Sequence, residues 1–195
     1  MYSDAHFVLP TDNRVNGWRD NYPYGQVITT TAVAASNSTV ANADNVPVYM
    51  TNQSRLGQNT NIDYTAGYTG VVFEPIDEFK GDIARSYFYF ATRYESLMDD
   101  FYIGANASSC EAKNMFDGST NKVFSDSFIL LLIKWHKQDP VSAKEIAQNN
   151  AIYNFQGNRN PFIDNPNYVC DIWITQCNTV DILSSESFAF ENTIS

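Results

Sequence analysis

The sequence predicts an α+β fold, mainly helical, in one domain with a small β component. Three observations carry that expectation. Apolar residues recur at three- and four-residue spacing over about 76–101, 124–138 and 140–155. β-prone runs are few and short, chiefly Val46–Met50 and Gly70–Phe73. The 195 residues are 44% hydrophobic and 14% aromatic, enough to bury one core.

At the amino end, Pro10 breaks an extended run and Thr11-Asp12 reads as a helix cap, so a short helix is expected over 12–20. Asn16 and Arg19, at i and i+3, then share one face. Residues 26–72 are rich in Thr, Ala, Asn, Ser and Val, with Asp44, Arg55 and Asp63 as their only charges. They read as a long, loop-rich surface excursion. Pro75 opens the clearest helix, 76–101. Ile76, Phe79, Ile83, Tyr87 and Phe90 lie on its apolar side, and Lys80, Asp82, Arg85 and Arg93 lie opposite. Residues 104–121 are small and polar, hence a loop.

The helix over 124–138 buries Phe124, Phe128, Leu131, Leu132 and Trp135. Lys134, His136 and Lys137 crowd its end, either to suit the helix dipole or to face phosphates. Asp139 as cap and Pro140 at the first position start the next helix, 140–155. Gly157 and Pro161 bracket the turn that ends it. Arg159 in that turn either bonds carbonyls or contacts a phosphate. A short helix follows at 166–174. Residues 178–195 lack a strong pattern and read as a tail or linker after a domain spanning 1–177.

Lys and Arg number 12 against 22 acids, a net charge of −10. That excludes a surface that attracts nucleic acid all over, so any such role requires a segregated basic patch. No apolar run approaches the roughly 20 residues of a membrane span. The three cysteines are an odd number. Cys170 and Cys177 could close a small loop with Cys110 left over, or all three could be thiols. The two histidines, His6 and His136, give no zinc spacing.

The densest polar chemistry is at the start: His6, Asn16, Arg19 and several acids within twenty residues. By spacing alone it supports two readings. One is a capped helix beside a satisfied histidine. The other is a one-metal phosphodiester site, in which imidazole takes a proton from water, the amide oxygen holds a hard cation and arginine grips phosphate.

The stretch DAHFVLPTDNRVNGWRDNYPYGQV resembles a signature of the bacterial endonuclease I family, secreted or periplasmic nucleases of the His-Me finger (ββα-metal) type. FEPIDEFKGDIARSYFYFATRYE at 73–95, LLLIKWHKQDPVSAKEIAQNNAIYNFQGNRNPFIDNP at 130–166 and YVCDIW at 168–173 also resemble it. The resemblance implies a monomeric, secreted or periplasmic enzyme that cuts DNA, and RNA as well, with little sequence preference and one divalent cation, magnesium. It assigns Asn16 to the metal and Arg19 to the phosphate. His6 matches a histidine common in the family that is not its general base, although it is the one candidate base near Asn16. Lys134, Lys137 and Arg159 are the expected substrate-binding cations.

One feature departs from the family. Its upstream Glu-His pair, which supplies the general base and a second metal ligand, is not found ahead of Asp4. The chain is therefore expected to be a carboxy-terminal part of such a nuclease that cuts poorly by itself. The alternatives are a nucleic-acid-binding remnant without catalysis, and a secreted acidic scaffold.

Overall fold

The computed structural model describes residues 4–28, 54–104 and 110–191. A 3-10 turn at Ala5–Phe7 leads to helix α1 (Asn13–Arg19), then strands β1 (Arg55–Gln58) and β2 (Val71–Glu74). Helices α2 (Lys80–Arg93), α3 (Met98–Gly104) and α4 (Asp126–Gln138) follow. Helices α5 (Ala143–Gln156), α6 (Pro161–Asp164), α7 (Tyr168–Ile172) and α8 (Ile174–Glu191) complete the order. The mainly helical α+β expectation holds.

The core is built on α2 against α4. Phe88, Leu132 and Ile133 are fully buried, and Tyr87 meets Phe128 edge-on at 5.2 Å between ring centres. Phe162 of α6, Val169 of α7 and Val180 of α8 close the same cluster. The sheet is small: β1 and β2 pair antiparallel with Leu56 opposite Phe73. The chain at 23–27 runs beside it, bridging Tyr24 to Phe73 and Val27 to Asn59. Gly25 is required there, because a Cβ would collide with Val72.

Several boundaries differ from expectation. The long helix over 76–101 is broken at Tyr94: α2 stops at Arg93, a 3-10 turn spans Glu95–Leu97, and α3 begins at Met98. α5 starts at Ala143, because Ser142 and Glu145 form a reciprocal capping box that outcompetes Asp139-Pro140. Asp139 turns back instead, and its carboxylate accepts from the Gly81 amide at the start of α2. Residues 178–191, read as tail, belong to α8, and Cys177 in its first turn is bonded to Cys170. Cys110 is the remaining thiol. The strand expected at Val46–Met50 lies outside the described residues, whereas the one at Gly70–Phe73 is β2.

Lys80 and Arg85 were placed opposite the apolar side of this helix, and both are buried. Arg85 is 0% exposed. Its Nε donates to Glu145 Oε1 at 2.5 Å and its Nη2 to Glu145 Oε2 at 2.8 Å. Nη1 donates to the Asp139 carbonyl at 2.8 Å and to His136 Nδ1 at 3.4 Å. His136 in turn donates from Nε2 to the Pro166 carbonyl at 3.2 Å, the pattern of a neutral ring. Burial, and then the Arg85 charge beside it, push its pKa down to about 4.

A second hub ties the amino end to α2 and α5. Asp4 is 8% exposed. One oxygen accepts from the His6 amide at 3.0 Å and Gln156 Nε2 at 2.9 Å. The other accepts from the Tyr89 and Tyr94 hydroxyls, both at 2.7 Å. Burial acts upward on this carboxyl, but the four hydrogen bonds outweigh it and hold the pKa down at about 2.

Two stability measurements check these hubs. Glu145→Ala removes the two-oxygen partner of the buried Arg85 and leaves only the longer pair with Asp82 at 3.4 Å, and should cost about 3 kcal/mol in urea unfolding. Asp4 binds its proton less readily folded than unfolded, so its stabilisation is present above about pH 4 and lost as pH falls toward 2. Asp4→Asn should lower the melting temperature at pH 6 and reduce the drop between pH 4 and 2.

Candidate active-site cleft

A cleft of about 680 Å³ lies between α1, the sheet, α2 and α5, within the size range of ligand sites. α1 is the element that brings polar chemistry to it. Asp12 caps the helix, accepting from the Val15 amide at 3.2 Å. Val15 turns inward against Leu56 and Phe73. That fixes the helix so that Asn16 and Arg19, one turn apart, both line the cleft. Asn16 is exposed.

Arg19 is held more tightly. Its guanidinium lies over the Tyr24 ring, 4.6 Å from the centre. Tyr24 in turn meets Phe73, Tyr87 and Trp135 edge-on, at 6.0, 5.8 and 5.9 Å. The arginine therefore rests on a ring that the core immobilises. Its Nε is buried and has no hydrogen-bond partner among the described residues. A buried donor left without an acceptor costs about 1–3 kcal/mol, so the position favours an incoming acceptor such as a phosphate oxygen.

The opposite wall carries Asp82 of α2, with Lys144 and Gln148 of α5. Asp82 is raised to about 7 by burial and then by the neighbouring Glu145 carboxylate, against the pull of Arg85. Asn16 and Asp12 on one wall and Asp82 on the other are among the oxygen-bearing side chains lining the cleft, of the kind a hard divalent cation takes. Among the described residues no group of three or more His, Cys, Asp or Glu could hold a metal.

Four of the residues singled out from sequence do not line this cleft. His6 is 5% exposed, and its Nε2 donates to the Asn158 carbonyl at 3.0 Å. Its ring packs on Tyr89 at 4.8 Å, and its own carbonyl accepts from Ser86 Oγ. Lys134 donates to Gln26 at 3.2 Å and lies over Tyr64. Lys137 pairs with Asp181 at 2.6 Å. Arg159 binds both oxygens of Asp164 at 2.7 Å each. All four side chains are engaged by local partners, whereas among the described residues the cations lining the cleft are Arg19 and Lys144. Sequence reasoning passed over Lys144, Asp82 and Tyr24. Lys144 had one signal, its place beside the capping Glu145 in the first turn of a helix.

Comparison with known proteins gives a consistent picture. The family described as Endonuclease I matches residues 1–167. An extracellular ribonuclease of Bacillus subtilis (strain 168) is 32% identical over 174 residues, 88% of this chain and 46% of that protein. An extracellular ribonuclease of Bacillus amyloliquefaciens is 42% identical over 107 residues, 54% of this chain and 34% of its own length. Endonuclease-1 of Buchnera aphidicola subsp. Acyrthosiphon pisum (strain APS) is 25% identical over 162 residues, 83% of this chain and 44% of that protein. The chain thus spans less than half the length of these relatives. No solved structure matches it.

Asp82 gives the cleft a pH signature. Its carboxyl holds a proton more readily folded than unfolded, so its contribution to stability is complete below about pH 4 and lost as pH rises through about 7. Asp82→Asn should raise the melting temperature more at pH 8 than at pH 5. Equal changes at both would show that Asp82 is already ionised at pH 5.

Proposed function

This chain belongs to the endonuclease I family, and from that premise we propose that it hydrolyses phosphodiester bonds of DNA and RNA with a divalent cation, magnesium. The observation that carries the reading is the paired placement of Asn16 and Arg19 on one face of α1 inside a large cleft. Arg19 binds the scissile phosphate and stabilises charge that develops on it. The Asn16 amide oxygen would be a protein ligand to the cation. When bound, the cation would supply charge neutralisation and an activated water. Lys144 adds a second positive charge across the cleft. These groups read backbone and not base edges, which fits weak sequence preference. His6, Lys134, Lys137 and Arg159 are left out of this assignment, since each is committed elsewhere. The His-Me finger type of site follows from the family and is part of the proposal.

The relatives named extracellular ribonuclease, together with the Cys170–Cys177 bond, support a secreted protein. Among the described residues no helix is long and apolar enough to cross a membrane. A second reading, a domain that holds nucleic acid without cutting it, draws on the engagement of His6 Nε2 by a carbonyl.

Plasmid nicking and RNA hydrolysis, each with magnesium and with chelator, separate the two. They should be run on residues 1–195 and on a form carrying any upstream segment that the gene encodes. Arg19→Ala should lower chelator-sensitive cleavage by about 10²-fold or more, and Asn16→Ala should abolish its response to magnesium. Lys137→Ala and Arg159→Ala should leave cleavage unchanged. Binding without cleavage in every form would favour the second reading, and cleavage that survives chelation would end the metal assignment.

A further inference from the structure

We propose that a pocket behind Arg19 is a nucleobase subsite, taking one unpaired base of the strand whose phosphate lies in the cleft. The inference rests on the nucleic-acid reading above and adds to it the form of substrate.

The pocket has a volume of about 220 Å³ and adjoins the cleft, the two spaces sharing Phe7, Arg19 and Tyr87. Its walls are aromatic: Phe7, Tyr87, Phe90, Tyr102 and Phe116 all contribute. Phe7 and Phe90 stack with centres 4.3 Å apart, and Phe7 meets Tyr87 edge-on at 5.4 Å. Phe7, Tyr87 and Phe90 are thus held in place by one another. Size decides what fits. An apolar cavity of about 150 Å³ accommodates a benzene ring, so 220 Å³ admits one pyrimidine or purine and not a base pair.

Chemistry selects among flat ligands. A base offers π faces to aromatic walls, and stacking of this kind tolerates any base. It also carries carbonyl oxygens or ring nitrogens at its edge. The buried Arg19 Nε, without a partner among the described residues, is a donor at the boundary between cleft and pocket. Arg19 and Lys113 are the cations in the lining, and the other nine lining residues are mainly aromatic and aliphatic, so a flat base gains more contact there than a compact phosphate. Arg19 thus stands where a phosphate on one side and its base on the other can be held together. A base inside a duplex is stacked and paired, and extracting it consumes binding energy. The subsite therefore makes single strands, loops and ends the preferred substrates.

The test uses the full chain in chelator, so that strands bind without being cut. A short single strand carries the fluorescent base 2-aminopurine at each position in turn, and matched strands carry an abasic residue there. Binding should quench the fluorescence, and removing the base should weaken binding about five-fold or more. Ala112→Phe, which fills the pocket from the turn at Glu111–Met115, should remove that difference. A second measurement needs no variant. Cys110 lines the pocket and is the one thiol outside the disulfide. The intact strand should slow its alkylation by iodoacetamide, and the wholly abasic strand should not. Strands that bind without quenching, with no abasic penalty and no protection of Cys110, would overturn the subsite and leave the nuclease reading standing. Failure of every strand to bind would overturn both.

Discussion

The buried guanidinium of Arg85 is the constraint on which the rest of the structure depends. It takes both oxygens of Glu145 and the carbonyl of Asp139, and donates to neutral His136. Those partners sit in α5, in the link before it, and in α4. One charge, withdrawn from water, therefore fixes three segments against α2. Such a pair is weak evidence for net stability, since dehydrating two charges offsets most of their attraction. What it does supply is geometry. Glu145 is also half of the capping box that starts α5, so the pair sets where Lys144 and Gln148 meet the cleft. Gly81 belongs to the same arrangement, because a Cβ there would collide with the Asp139 carbonyl and the Arg85 guanidinium.

The same economy governs the other cations. A molecule of net charge −10 has few positive groups to spend on a ligand. Lys80, Lys122, Lys137, Arg85 and Arg159 are all paired with carboxylates. Arg19, which lines the cleft, rests instead on a tyrosine ring, which attracts the cation without neutralising it. Its full charge stays available inside a low-dielectric cleft, where one charge counts for more than several on an open surface.

The sequence was legible where structure is local. The Pro10 break and the Thr11-Asp12 cap set the start of α1 within a residue or so, and the i, i+3 spacing put Asn16 and Arg19 together. The apolar repeat marked α2 and α4. It failed where the partner is distant. Arg85 reads as solvated because its place on α2 is opposite the apolar stripe, yet Glu145 covers that face from 60 residues away. Asp139 reads as the cap of the helix after it, whereas the amide it caps is 58 residues before it. β1 contains an arginine, a glycine and a glutamine, and is a strand because β2 pairs with it. α8 carries no clear apolar stripe, and its first turns are held by a disulfide and by Val180 in the core. His6 is buried and packed on Tyr89, which no spacing rule foretells.

The seating of Arg19 on Tyr24 has a kinetic consequence. An overall negative molecule gains nothing from long-range steering toward a polyanion, so encounter with a nucleic acid is slow and repelled at distance. Ordering a free arginine on contact would add an entropic cost of up to about 2 kcal/mol. Here the core has already ordered it, and the side chain is presented in one pose before any ligand arrives. Selectivity then lies in residence time: many encounters fail quickly, and those that place an acceptor against the buried Nε dissociate slowly.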